Sequence, residues 1–273
     1  MLQSFKNILV PVDFTRNTEV AINKTLELID DEEEAQVHLL HVSRNGYSFK
    51  KEVHPDGEKK LKEWKLAIED EHPHITVLIS IEEGASVQNA IKKKAKCIGA
   101  DLIVIGQSST HHWLSVLKTV LPMRLAASIQ IPVLTVKPGA LHNKPKTVIV
   151  PIAEEIPDIK INALELLCKK SRLNVHLVTF VDGKNVPSEF SASTLLQVYQ
   201  WLKAKLHCPV EYAVMHGSNK AKAILRYAEK NNADILLVYP KKETQLNWWN
   251  QHISDVLPAD SKVQILAVQP VAH

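Results

Sequence analysis

Two places in this 273-residue chain combine residue types that could hold a small polar or anionic ligand. Asp13 ends the apolar run Ile8-Leu-Val-Pro-Val12, where a carboxylate is either an acceptor facing a ligand or the local cap of the helix that follows. Asp at such ends is common for purely local reasons, and both readings stand. Gly106 ends a second apolar run and is followed by Gln107, Ser108, Ser109 and Thr110, polar donors beside a helix start, where an anion is well received. Other chemistry is excluded. The eight glycines are so dispersed, the nearest pair being Gly99 and Gly106, that neither GxGxxG nor GxxxxGK[ST] can be written. No Ser/His/Asp order, nucleophile elbow or metal-spaced cluster appears, so no catalytic role has a residue set behind it.

The remaining candidates have plainer readings. Adjacent His111 and His112 cannot converge on one metal from a helix and read as a surface pair. His38 and His176 open equivalent apolar runs and read as satisfied structural histidines. Trp248 and Trp249 read as filling of a vacated pocket rather than ligand stacking. Cys97, Cys168 and Cys208 are odd in number without metal spacing, which suits buried or idle thiols in a reducing cytoplasm.

The elements that must position Asp13 and Gly106 follow from a repeat. Asn7-Ile-Leu-Val-Pro-Val-Asp13 resembles Thr147-Val-Ile-Val-Pro-Ile-Ala153. Val37-His-Leu-Leu-His-Val42 resembles Val175-His-Leu-Val-Thr-Phe180, and Ala100-Asp-Leu-Ile-Val-Ile-Gly106 resembles Ala233-Asp-Ile-Leu-Leu-Val-Tyr239. Pro132-Val-Leu-Thr-Val136 faces Gln264-Ile-Leu-Ala-Val268. The order is preserved, so one unit is written twice, joined by a Pro- and Gly-containing linker at 137–146. In the first copy, strands are predicted near 7–13, 36–42, 75–81, 101–106 and 132–136, and helices near 18–30, 58–71, 86–99 and 115–129. The second repeats them, ending in a helix at 248–257 and a strand at 263–268. Strand then helix, repeated, predicts a parallel sheet covered on both faces, with ligands at the carboxyl ends of its strands where the strand order reverses. Asp13 and Gly106 would close that crevice.

The residues just quoted, with Phe14 and Thr15 after Asp13 and Gly84 before a helix, resemble a universal stress protein domain. As a tandem pair the resemblance spans nearly the whole chain. It implies two tandem doubly wound, open parallel-sheet α/β domains, universal stress protein-like and adenine nucleotide alpha hydrolase-like, at 1–138 and 146–273. In nucleotide-binding members strand four leads into Gly-x-x-Gly, a spacer, then Gly-Ser or Gly-Thr, which hold the phosphates; an Asp after strand one and a Val ending strand two contact the nucleoside. On this chain those positions are Gly106, Ser109, Thr119 and Val120, of which only Gly106 fits, while Asp13 and Val42 match. The resemblance thus gives a degenerate nucleotide site of Asp13, Val42, Gly106, Ser108, Ser109 and Thr119. The second copy departs further, with Ala153, Phe180 and Tyr239-Pro240 at the equivalent positions, and its crevice is expected to be collapsed.

Composition agrees with a soluble globular class: 45% hydrophobic, 23% charged, formal net charge +3. The densest basic run, Lys92 to Lys96, lies on an amphipathic helix and reads as a solvated face, not a nucleic-acid stripe. The apolar runs are far short of the ~20 residues a membrane span needs, and the N-terminal sequence shows no export signal. The expectation is therefore a cytoplasmic, non-enzymatic stress-response binding or scaffold protein with little or no ATP binding. Its copies form an internal pseudo-dimer through antiparallel pairing of the fifth strands, compatible with further homodimerisation, and it has neither nucleic-acid nor membrane partners. The alternative is an adenine-nucleotide or nucleoside sensor using the first copy alone.

Overall fold

A computed structural model describes residues 5–29, 32–43, 56–107, 117, 120–152, 158–170, 172–181, 189–206, 208–216, 219–240, 243–244, 246 and 252–269. The near-continuous Val, Ile and Leu runs become β1 (Asn7–Val12) and β4 (Leu102–Gly106), flanked by β2 (Ala35–Ser43), β3 (Ile75–Glu83) and β5 (Val133–Val136). Between them lie α1 (Arg16–Leu28), α2 (Gly57–Glu71), α3 (Val87–Cys97) and α4 (Pro122–Ser128). The second half repeats this as β6 (Thr147–Ile152), α5 (Asp158–Lys170), β7 (Asn174–Val181), α6 (Glu189–Lys205), β8 (Val210–His216), α7 (Lys220–Lys230), β9 (Ile235–Val238), α8 (Ile253–Val256) and β10 (Gln264–Ala267).

The ten strands form one sheet in the order β3-β2-β1-β4-β5-β10-β9-β6-β7-β8. Every neighbouring pair is parallel except β5 and β10, which run antiparallel with Leu134 opposite Leu266. This is the expected joining of the fifth strands. Each would otherwise be an exposed apolar edge, a template for aggregation, and pairing them inside one chain removes both edges at once. The halves therefore share two continuous apolar layers. Val10, Leu134, Val148 and Leu266 lie in one, Leu9, Val133, Leu236 and Ile265 in the other. Each such side chain contributes about 1.5–3 kcal/mol when fully buried.

Local chemistry starts the helices. Thr15 caps α1, its hydroxyl accepting from the Asn17 N–H at 3.3 Å, and Ser86 and Asn219 cap α3 and α7 in the same way. Two predicted helices are shorter than expected. Instead of 115–129, α4 starts at Pro122, because Leu121 before it is extended and proline favours the first helical position. In place of 248–257, α8 covers Ile253–Val256, and residues 248–251, with Trp248 and Trp249, lie outside the described residues. His111 and His112 lie outside them too.

The strand order reverses between β1 and β4, where the ladder is short. Ile8 and Leu9 pair with Leu102 and Ile103, and the β6–β9 ladder likewise pairs only Val148 and Ile149. Pro11 and Pro151 follow these last pairs. A proline removes a ladder donor, and here it does so where the strands have already parted. Each half thus has a crevice at the carboxyl ends of its central strands.

Candidate functional site

In the first half the crevice begins with the three residues after β1. Asp13 is buried, and its Oδ1 accepts from the Thr15 N–H at 3.1 Å, the Thr15 hydroxyl at 2.6 Å and the Thr18 hydroxyl at 2.8 Å. The Asp13 N–H in turn donates to Thr18 Oγ1 at 3.0 Å. Of the two readings of Asp13, the local one is thus realised: this oxygen folds the turn and ties it to the first turn of α1. Phe14 pays in strain, with φ of 60°, uncommon for a bulky residue. Its ring packs on His41 at 4.7 Å and on Trp64 at 5.8 Å, and the His41 Nδ1–H donates to the Val12 carbonyl at 2.9 Å.

Val42 and Gly106 converge on the same end of the sheet. Val12 pairs with His41, so Val42, itself buried and one residue before the end of β2, comes beside Asp13. Gly106 ends β4, and a Cβ built there would meet the Asn17 carbonyl oxygen at 2.0 Å. No side chain fits in that space, so the glycine is required by the close approach of α1 whether or not a ligand binds. Ser108, Ser109 and Thr119 lie outside the described residues. Val120, at the hydroxyl position of the family motif, turns inward and is buried with Leu117 and Met123 in the apolar layer. The Leu121 N–H, at the start of α4, donates to Gln88 Oε1 at 3.5 Å, so the chain's own amide takes a donor that an anion would use. Gln107 keeps its Oε1 buried without a partner. Neither Asn17 nor Gln88 is marked by sequence pattern, because each acts through a residue distant in sequence.

In the second crevice large side chains of the described residues stand at the carboxyl ends of the strands. Ala153 lies outside the described residues, but Phe180 and Tyr239 are half-buried and packed on the two apolar layers. Against Tyr239 stands Lys160 of α5, with no exposed surface, its ammonium 4.1 Å from the ring centroid. That ammonium donates to both Glu243 oxygens at 2.7 Å and to the Pro151 carbonyl at 2.6 Å. The Tyr239 N–H donates to Glu243 Oε2 at 2.7 Å. Burial lowers the Lys160 pKa, and the Glu243 carboxylate opposes that shift. Beyond it, Thr244 bonds the Pro240 carbonyl and sits 2.7 Å from His252 Nδ1, while the His252 N–H donates to Asp255 at 2.9 Å. Sequence reading missed Lys160 and Glu243. The available signal was Lys160 on the apolar stripe it shares with Leu164 and Leu167.

The paired histidines differ. His176 is satisfied by the Tyr227 hydroxyl at 3.0 Å, whereas His38 leaves Nε2 without a partner, and burial, then Lys94, lowers its pKa. A neutral ring loses less by burial than a charged one, which is how an unpaired imidazole is tolerated. Cys97 is exposed, and Cys168 and Cys208 bring their sulfurs to 3.7 Å, where burial raises both thiol pKa values. Among the described residues no helix is long and apolar enough to cross a membrane.

Residues 4–137 match the model of the universal stress protein family. No curated protein matches the chain. Among solved structures, a universal stress protein from Archaeoglobus fulgidus superposes with a TM-score of 0.69 at 15% identity, covering 97% of each chain. A functionally unknown protein from Pseudomonas aeruginosa gives 0.63 at 16% identity, covering 98% of this chain and 94% of that one. At such identities the likeness speaks for the fold, and it extends over both halves. Residues 4–137 therefore belong to the universal stress protein family, and the second half repeats their strand order in one continuous sheet.

Proposed function

We propose that this protein is a non-catalytic, stress-linked binding or scaffold protein of the cytoplasm, with little or no ATP binding. Its second domain serves as the structural half of an internal pseudo-dimer. The boundaries adopted are 1–138 and 146–273. The observation that carries this reading is the second crevice, where Tyr239, Lys160 and Glu243 occupy the end of the sheet. In the first crevice Val120, at the hydroxyl position of the family motif, faces the core, so that donor is missing, and the neighbouring Leu121 N–H is engaged by Gln88.

The alternative is an adenine-nucleotide or nucleoside sensor that uses Asp13, Val42 and Gly106 of the first domain, with Ser108, Ser109 and Thr119 in its loop. It is favoured by the convergence of the first three at one end of the sheet. Calorimetric titration of the full chain with ATP, AMP and adenosine, with and without magnesium, separates the two. The scaffold reading expects no saturable heat with ATP. Submicromolar ATP binding would overturn it, and adenosine binding that Asp13→Ala abolishes would establish the sensor.

A further inference from the structure

The sheet has two outer edges, β3 in the first half and β8 in the second, and the chain treats them differently. In a parallel ladder alternate residues turn both N–H and C=O toward the neighbouring strand, and the residues between turn theirs away. On β3 the Ala35 N–H donates to the His74 carbonyl at 3.2 Å, which makes Val77 one of the outward residues. Val77 is capped from α2. Its carbonyl accepts from the Lys65 ammonium at 2.6 Å, its N–H donates to Glu69 Oε1 at 2.8 Å, and the two side chains pair at 2.9 Å. Charged groups set on an edge strand oppose its pairing with another chain, so the β3 edge is guarded.

The β8 edge is open. The Val175 N–H donates to the Pro209 carbonyl at 2.9 Å, so Glu211, Ala213 and Met215 bond β7, while Val210, Tyr212, Val214 and His216 turn their backbone groups outward. Among the described residues none of these four backbones has a partner on its outer side. Tyr212 is 59% exposed and Val214 44%, large apolar surfaces beside an unpaired backbone. Tyr199 of α6, its ring centroid 5.4 Å from that of Tyr212, and the exposed Leu196 one turn before it extend the apolar strip.

We propose that β8 is the docking edge for a second copy of this chain, antiparallel about a two-fold axis at Ala213, so that the ten-stranded sheet continues into its copy. The pattern on β8 is self-complementary. In this register Tyr212 faces Val214 of the second copy and Val210 faces its His216, so all four outward residues exchange hydrogen bonds and an aromatic ring meets a β-branched side chain. Glu211 falls opposite Met215 of the second copy, and no like charges are opposed. Joining β8 to β3 of another copy would instead propagate without closing, and Lys65 and Glu69 block it. The chain already covers its β5 and β10 edges by antiparallel pairing of the same kind. The proposal is independent of the nucleotide question, because no residue of β8 belongs to either crevice.

The test follows the full chain by sedimentation velocity at rising concentration, where a species of twice the mass of one chain is expected. Val214→Pro removes an N–H that points away from β7, a change an edge strand accepts, and should weaken dimerisation by about tenfold or more with circular dichroism unchanged. If that variant fails to fold, Tyr212→Lys, which puts a charge on the same edge at an exposed position, decides instead. Cross-linking fixes the surface. With the exposed thiol removed by Cys97→Ser, Ala213→Cys places two thiols across the two-fold axis at a non-hydrogen-bonded pair and should give a disulfide-linked dimer with oxidised glutathione. Leu66→Cys, on the exposed face of α2, should not. A chain that stays monomeric at every concentration leaves this edge to solvent or to another partner and overturns the proposal. So does a dimer that the edge variant leaves intact, or one that Ala213→Cys fails to cross-link.

Discussion

The two crevices occupy the same place in two copies of one fold and are built by opposite means. The first is closed by backbone: Gly106 lets the Asn17 carbonyl approach the end of β4, and Asp13 ties the intervening turn together with short local bonds. The second is closed by side chains, with Tyr239 in place of that glycine and a buried Lys160–Glu243 pair packed against it. A glycine contact of this kind penalises any side chain at that position. A tyrosine with an ion pair fills the space and makes the domain depend on two charges that must stay together.

This difference can be broken by mutation. The largest effect is expected from Lys160→Ala or Glu243→Ala, each of which strands a buried charge, at about 3–5 kcal/mol in urea unfolding. Replacing both, Lys160→Met with Glu243→Leu, should recover most of that loss, because an apolar pair of similar volume no longer has to be desolvated. Additive losses in the double variant would show that the pair is not coupled.

Next comes Gly106→Ala, expected to cost about 1–3 kcal/mol through overpacking against Asn17, with backbone shifts at the start of α1 visible by NMR. A neutral result would mean that α1 can move away freely and that the first crevice is more plastic than its packing suggests. Asp13→Ala should cost less, about 1–2 kcal/mol, by removing an acceptor that organises the helix start. Asp13→Asn keeps an oxygen in place and should lie between that variant and the parent.

The smallest effect concerns pH and compares Asp234 with its counterpart Asp101. Asp101 accepts from the Lys6 and Asn7 N–H groups at 3.1 and 2.9 Å. Asp234 accepts from the Lys146 and Thr147 N–H groups at 2.8 and 3.0 Å and adds Asn143 at 3.0 Å and Lys262 at 2.7 Å. Burial alone would raise the Asp234 pKa, but Lys262, Lys146, Asn143 and Thr147 together hold it below the usual value. A carboxylate depressed in the folded state contributes stability that is complete above the unfolded pKa of ~3.9 and is lost as pH falls through the folded value. Asp234→Asn should therefore flatten the acid limb of the stability profile. An acid limb unchanged in that variant would contradict the bond count.

Much of this architecture was legible because its signals are local. Alternating apolar runs and capped helices placed most elements within a residue or two, and the repeat announced two copies. The need to cover two apolar edges foretold the β5–β10 pairing. The site was legible only as positions: Asp13, Val42 and Gly106 do lie at one end of the sheet, yet what Asp13 and Gly106 do there is set by Thr18 and Asn17. The end of α4 could be read from its periodicity, but its start depended on the extended residue before Pro122.

Sequence alone determined the strand and helix periods and the duplication, since each is written in neighbouring residues. Tertiary structure alone decided that Lys160 meets Glu243 and that Gly106 accommodates a carbonyl of α1. The physical reason is range. Backbone preference and amphipathic periodicity act over a few residues, whereas the partner that makes a buried charge or amide tolerable is selected by packing, here across 83 residues of chain for Lys160 and Glu243.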